Sequence, residues 1–188
     1  MKVESGRLIL SPSDLVNYLE SPFASWMDRY HLENRGQLKP DELSEDAQLI
    51  IETGNQHERN ILGELKGSGE ELREIEQDSN SIDATMKALS SRVPIVYQAK
   101  LTAGDFAGYA DFIMIDEQTG KYQIWDTKLA RSPKPYYAIQ LCCYSEMFAE
   151  MIGEPMPEKF GIILGADADG ICERVELRVE DYIHYYRH

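Results

Sequence analysis

Asp126 and Lys128 stand two residues apart in an otherwise apolar segment, and Asp111 interrupts a second apolar segment upstream. On a β-strand, residues two apart point to the same face, about 6.6 Å from each other. The short polar stretch 116–121 is typical of a turn, so we predict that the two segments are neighbouring strands. Because burying a lone charge is costly, two carboxylates and one amine in such strands indicate a site with a chemical role.

Two carboxylates on adjacent strands would offer oxygen ligands to Mg²⁺ or Mn²⁺, and the backbone carbonyl of Thr127 would add another. An ion held there would polarise a phosphodiester and activate water for its hydrolysis. Lys128 would position or help to deprotonate that water and offset charge on the phosphorus. The alternative is an unrelated binding domain with a purely structural Asp–Lys pair, which Asp111 and Asp126 facing apart would favour.

The segment after Lys128 adds polar and basic side chains. Gln140 and Tyr144 are four residues apart and share one face of a predicted helix. Arg131 and Lys134 precede that helix, in a stretch from 127 to 145 that has three basic residues and no acidic one. This stretch is the best local candidate for contacts with phosphate groups. The alternative is that Arg131 and Lys134 are solvated loop residues and Tyr144 belongs to the core.

The elements that must position these residues form a helical first half and a strand-rich second half. Hydrophobic spacing and cap residues predict helices that begin near Ser11 and Ser21, and others over 44–66, 81–90, 135–152 and 180–188. Alternating patterns predict strands over 94–101, 105–115, 121–129, 160–165 and 171–179. This order predicts an α/β or α+β core with a helical N-terminal cap.

The long helix over 44–66 carries an apolar stripe that includes one histidine. The stripe consists of Ala47, Ile50, Gly54, His57, Ile61 and Leu65. His57 is therefore predicted to face inward. A single histidine on an apolar face is more often a hydrogen-bonded core residue than a ligand, so its role depends on the rest of the pattern.

Composition limits the class of protein. The net charge of −14 argues against a protein that coats nucleic acid with its whole surface, although a metal site with a local basic patch remains compatible with it. The three cysteines form neither a disulfide framework nor a zinc spacing. No apolar run approaches the roughly 18 residues of a membrane span, and the first ten residues lack a signal peptide. We expect a cytoplasmic protein without membrane contacts.

The motifs together resemble a known family. The segments GYADF and YQIWDTKLARSPKPYYAIQLCCYSEM are similar to the RecB-like branch of the PD-(D/E)xK nucleases. That branch combines Gly-x-x-Asp, Asp-x-Lys and a helix with Gln-x-x-x-Tyr. The segments LSPSDLVNYLESPFASWMDRY and GNQHERNILGEL resemble its N-terminal helices, where a histidine contributes to the metal site. The likeness covers about residues 10–165.

The resemblance implies a restriction-endonuclease-like fold, in which helices flank a mixed sheet. It implies one nuclease domain over 1–188, with a helical region over about 1–92 and the catalytic α/β core over about 93–188. Mg²⁺ or Mn²⁺ would be held by His57, Asp111, Asp126 and Thr127, and Lys128 would be catalytic. Gln140 and Tyr144 would support Lys128 or contact DNA, while Glu58 is a weaker candidate for the acidic residue that the wider fold uses on an early helix.

Several relatives in this branch hold an iron–sulfur cluster through four cysteines. This chain has Ser21 where one of those cysteines precedes a proline, and its three cysteines cannot supply four thiolates, so we expect no cluster. The branch acts on DNA in repair, recombination or phage DNA metabolism, here with single strands or ends as the expected substrate. Its members are often joined to a helicase or second nuclease domain, and we expect the chain to be the N-terminal part of a longer protein. The alternative function is an inactive module of the same fold that binds nucleic acid or scaffolds such a partner.

Overall fold

The computed structural model describes residues 1–188 as eight strands, six α-helices and one 3₁₀ turn. In chain order these are β1 (Lys2–Glu4), β2 (Arg7–Ile9), α1 (Pro12–Glu20), α2 (Pro22–Glu33), α3 (Glu45–Gly67), β3 (Leu72–Glu74), α4 (Ser81–Ser90), β4 (Ile95–Ala103), β5 (Phe106–Ile115), β6 (Tyr122–Lys128), α5 (Pro135–Ile152), β7 (Lys159–Leu164), β8 (Arg174–Arg178), the 3₁₀ turn Val179–Asp181, and α6 (Ile183–Tyr186). The predicted positions of α3, α4, α5 and the strands β4–β8 are confirmed to within a few residues.

Local signals explain where the helices begin and end. The Asp14 carboxylate accepts the Ser11 backbone N–H at 2.7 Å and so caps the start of α1. The Ser44 hydroxyl accepts the Ala47 N–H at 3.2 Å at the start of α3. Gly153 ends α5 with φ +71°, a left-handed conformation that glycine adopts without steric cost. Capping residues in the sequence therefore account for the starts of α1 and α3 and for the end of α5.

Strands β3 to β8 form one mixed sheet in chain order. Strands β4, β5 and β6 form an antiparallel meander, as their short turns predict, and β8 pairs antiparallel with β7. The pairs β3–β4 and β6–β7 are parallel. Parallel neighbours require a crossover, which α4 supplies between β3 and β4, and α5 between β6 and β7. The α/β prediction is thereby confirmed for this sheet and its flanking helices.

Two apolar cores lie on opposite faces of the sheet. The larger core packs Leu89 of α4 and Leu141 of α5 against strand residues such as Ile113. The smaller core packs Ile61 of α3 against Phe112 on the other face. The sheet thus lies between α4 and α5 on one side and α3 on the other, and the end of β6 can be reached from both layers.

The first half of α3 departs from the prediction. The apolar stripe was expected to face inward along its whole length, but Ile50 is 64% exposed, and burial begins only at His57. The smaller core involves α3 only through Ile61, Leu62 and Leu65, which all lie in the second half of the helix. The helix signal was correct, whereas the extent of its packing depends on what lies opposite.

The two ends of the chain also differ in detail from the prediction. The hairpin of β1 and β2 was not predicted, and its strands are only three residues each. The helix expected over 180–188 consists of the 3₁₀ turn and the four-residue α6. No helix combines the length and apolar character needed to cross a membrane.

Candidate active site

The candidate site lies in a fork between β5 and β6. These strands pair from Phe112–Trp125 to Ile115–Tyr122 and then separate, while β6 continues to Lys128 alongside β7. Asp111 is the first β5 residue beyond the last paired position. Its Oδ2 accepts hydrogen bonds from the backbone N–H and the hydroxyl of Thr127, both at 2.8 Å. The Asp111 carboxylate thus replaces the missing backbone partner and spans the fork.

A cavity of about 550 Å³ opens at this fork, between α3 and α5. Seven residues predicted from the sequence line it, namely His57, Asp111, Asp126, Thr127, Lys128, Gln140 and Tyr144. Glu58 lines the same cavity. Asp111 and Asp126 therefore face a common space, which does not favour the alternative in which they point apart.

Asp126 and Lys128 form a close ion pair in the cavity. The Lys128 Nζ lies 2.6 Å from Asp126 Oδ2, with the Asp126 side chain 6% exposed. This contact lacks hydrogen-bond geometry, so the buried Oδ2 has an ionic neighbour but no hydrogen bond. Lys128 instead donates to Gln140 Oε1 at 3.1 Å and lies 5.2 Å from the centre of the Tyr137 ring. Helix α5 therefore holds the ammonium group in place.

The cavity contains more acidic than basic side chains. Burial raises the pKa of Asp111 well above its usual value, and the charges of Asp126 and Glu58 add to the effect. Asp111 keeps some exposure as a whole residue, but its carboxylate lies in the desolvated interior. For Lys128, burial lowers the pKa, but the charges of Asp126, Asp111 and Glu58 outweigh it and the net shift is upward. Lys128 is therefore firmly a cation.

The donor chemistry of the cavity fits a divalent cation. Three carboxylates, from Glu58, Asp111 and Asp126, face the single ammonium group of Lys128, and the His57 imidazole is close by. Carboxylate oxygens are the ligands that Mg²⁺ and Mn²⁺ prefer. A buried carboxylate oxygen without a hydrogen bond, at Asp126, is the kind of atom that such an ion would satisfy.

The donors are nevertheless not gathered around one point. No three His, Cys, Asp or Glu side chains lie close enough together to hold a metal ion. The Lys128 ammonium lies against Asp126, and His57 Nε2 lies 3.5 Å from the carbonyl oxygen of Ile163, a weak contact. A divalent cation would therefore require the Asp126 and His57 side chains to turn toward it.

Gly108 on β5 and Tyr144 on α5 bring the Gly-x-x-Asp strand into contact with the Gln-x-x-x-Tyr helix. The Tyr144 hydroxyl donates to the Tyr109 carbonyl oxygen at 2.8 Å. A Cβ at position 108 would lie 3.0 Å from that hydroxyl oxygen and 2.9 Å from Pro12 Cδ. Glycine at 108 thus allows α5 and α1 to approach β5. Tyr144 braces the strand that carries Asp111, and its hydroxyl is already engaged.

Arg131 and Lys134 lie outside the cavity. Both belong to the segment 129–134 between β6 and α5, where their side chains are exposed. Lys134 Nζ lies 5.6 Å from the centre of the Tyr136 ring. The expectation that these two residues contact nucleic acid stays a prediction.

Other cavity residues were not singled out from the sequence. Ser13, Asn55 and Tyr109 line the cavity, and Gln98 contacts it through Glu58. Tyr109 lay inside the recognised strand motif, but nothing marked Ser13 or Gln98, because their relevance depends on contacts between distant segments. Cys142 and Cys143 are buried in α5, and Cys172 lies between β7 and β8.

Comparisons with known proteins do not assign the chain to a family. No protein-family model matches the sequence, and no match to a curated protein reaches significance. The geometry and chemistry of the cavity, and the motifs that it brings together, are the available guides to function.

Proposed function

We propose that the protein is a divalent-metal-dependent nuclease with a restriction-endonuclease-like fold of the RecB-like PD-(D/E)xK type. The observation that carries this proposal is the convergence of Asp111, Asp126 and Lys128 in one cavity with His57 and Gln140. These residues come from α3, β5, β6 and α5, and they span 84 positions of the chain from 57 to 140. A purely structural Asp–Lys pair has no need for such a polar cavity around it.

In this proposal, Asp111, Asp126, the Thr127 carbonyl and His57 hold Mg²⁺ or Mn²⁺. The bound ion would supply Lewis-acid polarisation of the phosphate and a lower pKa for the attacking water. Hydrolysis forms a bond between the water oxygen and phosphorus and breaks the bond from phosphorus to the leaving oxygen. The attacking water gives up a proton to solvent, and the leaving oxygen takes one up from solvent. Because its pKa is raised, Lys128 acts as a fixed cation that offsets charge building on the phosphate. Gln140 keeps Lys128 oriented for that role.

The substrate and setting follow from the motif likeness alone. We propose DNA as the substrate, with single strands or ends preferred, and a role in repair, recombination or phage DNA metabolism. A fused or associated helicase or second nuclease domain would supply DNA affinity that a chain of net charge −14 lacks. The proposed location is the cytoplasm.

A second candidate is an inactive module of the same fold that binds nucleic acid or scaffolds a partner. Two observations favour it, namely the strongly negative net charge and the lack of three gathered metal ligands. The intact set of Asp111, Asp126 and Lys128 favours the nuclease, because an abandoned site is free to lose any of the three.

The test is cleavage of labelled single- and double-stranded DNA in Mn²⁺, Mg²⁺ or EDTA by the wild type, Asp126→Asn and Lys128→Met. We expect metal-dependent cleavage that falls by roughly 100-fold or more in both variants, as for other groups that stabilise transition-state charge. Lys121→Met is the matched control, since Lys121 immediately precedes the same strand and is exposed, with Glu158 as its partner.

The outcomes separate the two candidates. Cleavage that is lost in the site variants and kept in Lys121→Met supports the nuclease. Absence of cleavage by the folded wild type, together with DNA binding in a gel-shift assay, would support the inactive module. Cleavage that persists unchanged in both site variants would show that this cavity is not the active site.

A further inference from the structure

Gln98 has an unusual backbone conformation inside the sheet. It lies in the middle of β4 with φ +53°, in the left-handed region that residues other than glycine rarely occupy. The neighbouring pairs Tyr97–Phe112 and Ala99–Ala110 are in register, which puts Gln98 directly opposite Asp111. The chain therefore departs from regular strand geometry at the position that faces a proposed metal ligand.

This conformation reverses the pleat of both strands. Residues two apart on a regular strand share a face. Ala99 nevertheless belongs to the core beneath α5, while Tyr97 packs against the core beneath α3. The same change occurs on β5, where Ala110 and Phe112 lie in these two different cores. The side chains of Gln98 and Asp111 lie at the point of reversal, which directs Asp111 away from both apolar cores and into the cavity.

The Gln98 side chain forms a relay to the cavity. Its Nε2 donates to Glu58 Oε1, and its Oε1 accepts from Gln77 Nε2 at 3.1 Å. Glu58 also faces the Tyr97 phenol, whose pKa is raised by burial and then by the Glu58 carboxylate. An amide at position 98 can both donate and accept, whereas a carboxylate there would repel Glu58.

We propose that Gln98 is a positioning residue that fixes Glu58 and Asp111 around a divalent-cation site. This inference rests on metal binding by the proposed function, but not on cleavage. A left-handed residue with a side chain persists in a strand only where its surroundings determine it. Here the hydrogen bonds to Glu58 and Gln77 do so, and the backbone kink sets the direction of Asp111. Backbone and side chain of one residue thus orient two carboxylates.

The test is the affinity of the metal-free protein for Mn²⁺, measured by calorimetry and by electron paramagnetic resonance. Gln98→Gly keeps the left-handed backbone available and removes only the side-chain relay. We expect its affinity for Mn²⁺ to fall about 10-fold, the effect typical of lost partners of metal ligands. Its metal-free melting temperature should stay near that of the wild type. Glu58→Gln should weaken Mn²⁺ binding at least as much. The double variant should bind little more weakly than Glu58→Gln alone, because both changes disrupt the same hydrogen-bonded pair of Gln98 and Glu58.

Two further variants keep the test decisive. Arg92→Gly is the matched control, because Arg92 also has a positive φ, +57°, but does not line the cavity. It should bind Mn²⁺ like the wild type. Tyr97→Phe removes only the hydroxyl that faces Glu58 and should weaken Mn²⁺ binding by more than twofold, even if Gln98→Gly fails to fold.

The outcomes separate this inference from the nuclease proposal. If the wild type binds Mn²⁺ and a folded Gln98→Gly binds within twofold of it, the positioning role is wrong and the nuclease proposal stands; if Gln98→Gly does not fold, a Tyr97→Phe protein within twofold of the wild type overturns the role of the relay instead. If Mn²⁺ affinity falls as expected but the wild type cleaves no DNA, the positioning role stands and the nuclease proposal is wrong. Absence of Mn²⁺ binding to the wild type would overturn both.

Discussion

Replacing Gly108 with alanine tests whether the strand that carries Asp111 is held by close packing. The new Cβ would lie 2.9 Å from Pro12 Cδ, 3.0 Å from the Tyr144 hydroxyl oxygen and 3.1 Å from Tyr144 Cε1. Carbon atoms in contact normally lie about 3.5–4.0 Å apart. Pro12 and Tyr144 are both rigid rings and both buried, so neither can turn away freely. Either β5 or α5 must therefore move.

The cost follows from two contributions. Overpacking of a filled core costs about 1–3 kcal/mol. Displacing Tyr144 also weakens its hydrogen bond to the Tyr109 carbonyl oxygen, which contributes about 1 kcal/mol. We therefore expect Gly108→Ala to lower the free energy of unfolding by about 2–4 kcal/mol. For a chain of this size, 1 kcal/mol corresponds to about 2–4 °C in melting temperature, so a decrease of roughly 4–16 °C is expected.

Urea denaturation followed by circular dichroism would measure this change. The matched control is Gly63→Ala, because Gly63 lies inside α3 and a Cβ there would meet no atom within 4 Å. Alanine at that helical position should raise stability by about 0.5–1 kcal/mol. A Gly108→Ala protein within about 0.5 kcal/mol of the wild type would refute the reasoning, since ordinary surface substitutions fall in that range.

Two further predictions concern charge. Burial, together with the charges of Asp126 and Glu58, raises the pKa of Asp111. The protonated carboxyl therefore stabilises the fold at pH values below the ordinary carboxyl pKa. This stabilisation is lost as the pH rises through the raised pKa. Asp111→Asn should thus stabilise the metal-free protein at pH 8 and change its stability little at pH 4. The stabilisation at pH 8 amounts to about 1.4 kcal/mol for each unit by which the pKa of Asp111 is raised. Thermal melts would measure it, and destabilisation at both pH values would contradict the prediction. If Arg131 and Lys134 contact phosphates, replacing each with alanine in an Asp126→Asn background should reduce the slope of log affinity against log salt by about 1. Equal slopes for these variants and for the control Lys39→Ala, in the exposed loop between α2 and α3, would refute the contacts.

Periodicity was sufficient to predict the elements that carry the site. Alternating apolar residues and short polar turns predicted the meander β4–β6, and the continuous apolar run closed by Gly153 predicted α5. These signals are local, since a strand face depends on residues two apart and a helix face on residues three and four apart. Asp111, Asp126 and Lys128 could be singled out because a charge inside an apolar strand is conspicuous in the sequence.

Packing against distant segments could not be predicted in the same way. The stripe on α3 suggested an inward face from Ala47 onward, yet burial begins at His57, and only Ile61, Leu62 and Leu65 of this helix belong to the smaller core. Nor did the sequence indicate that Arg131 and Lys134, close to Lys128 in the chain, would lie outside the cavity. Residues that follow a strand in a loop need not stay near the site at the end of that strand, because the loop leads the chain away from it.

The sequence by itself determined the order of α1 to α5 and of β4 to β8, and it singled out the three charged residues of the fork. Only the tertiary structure decided that β5 and β6 separate at Asp111, that the Gly108 backbone lies against Tyr144, and that Gln98 contacts Glu58 across 40 positions of the chain. The physical reason is the range of the interactions. Backbone conformation and amphipathic faces depend on near neighbours, whereas a cavity forms from side chains that meet only after the sheet and its two helical layers have assembled.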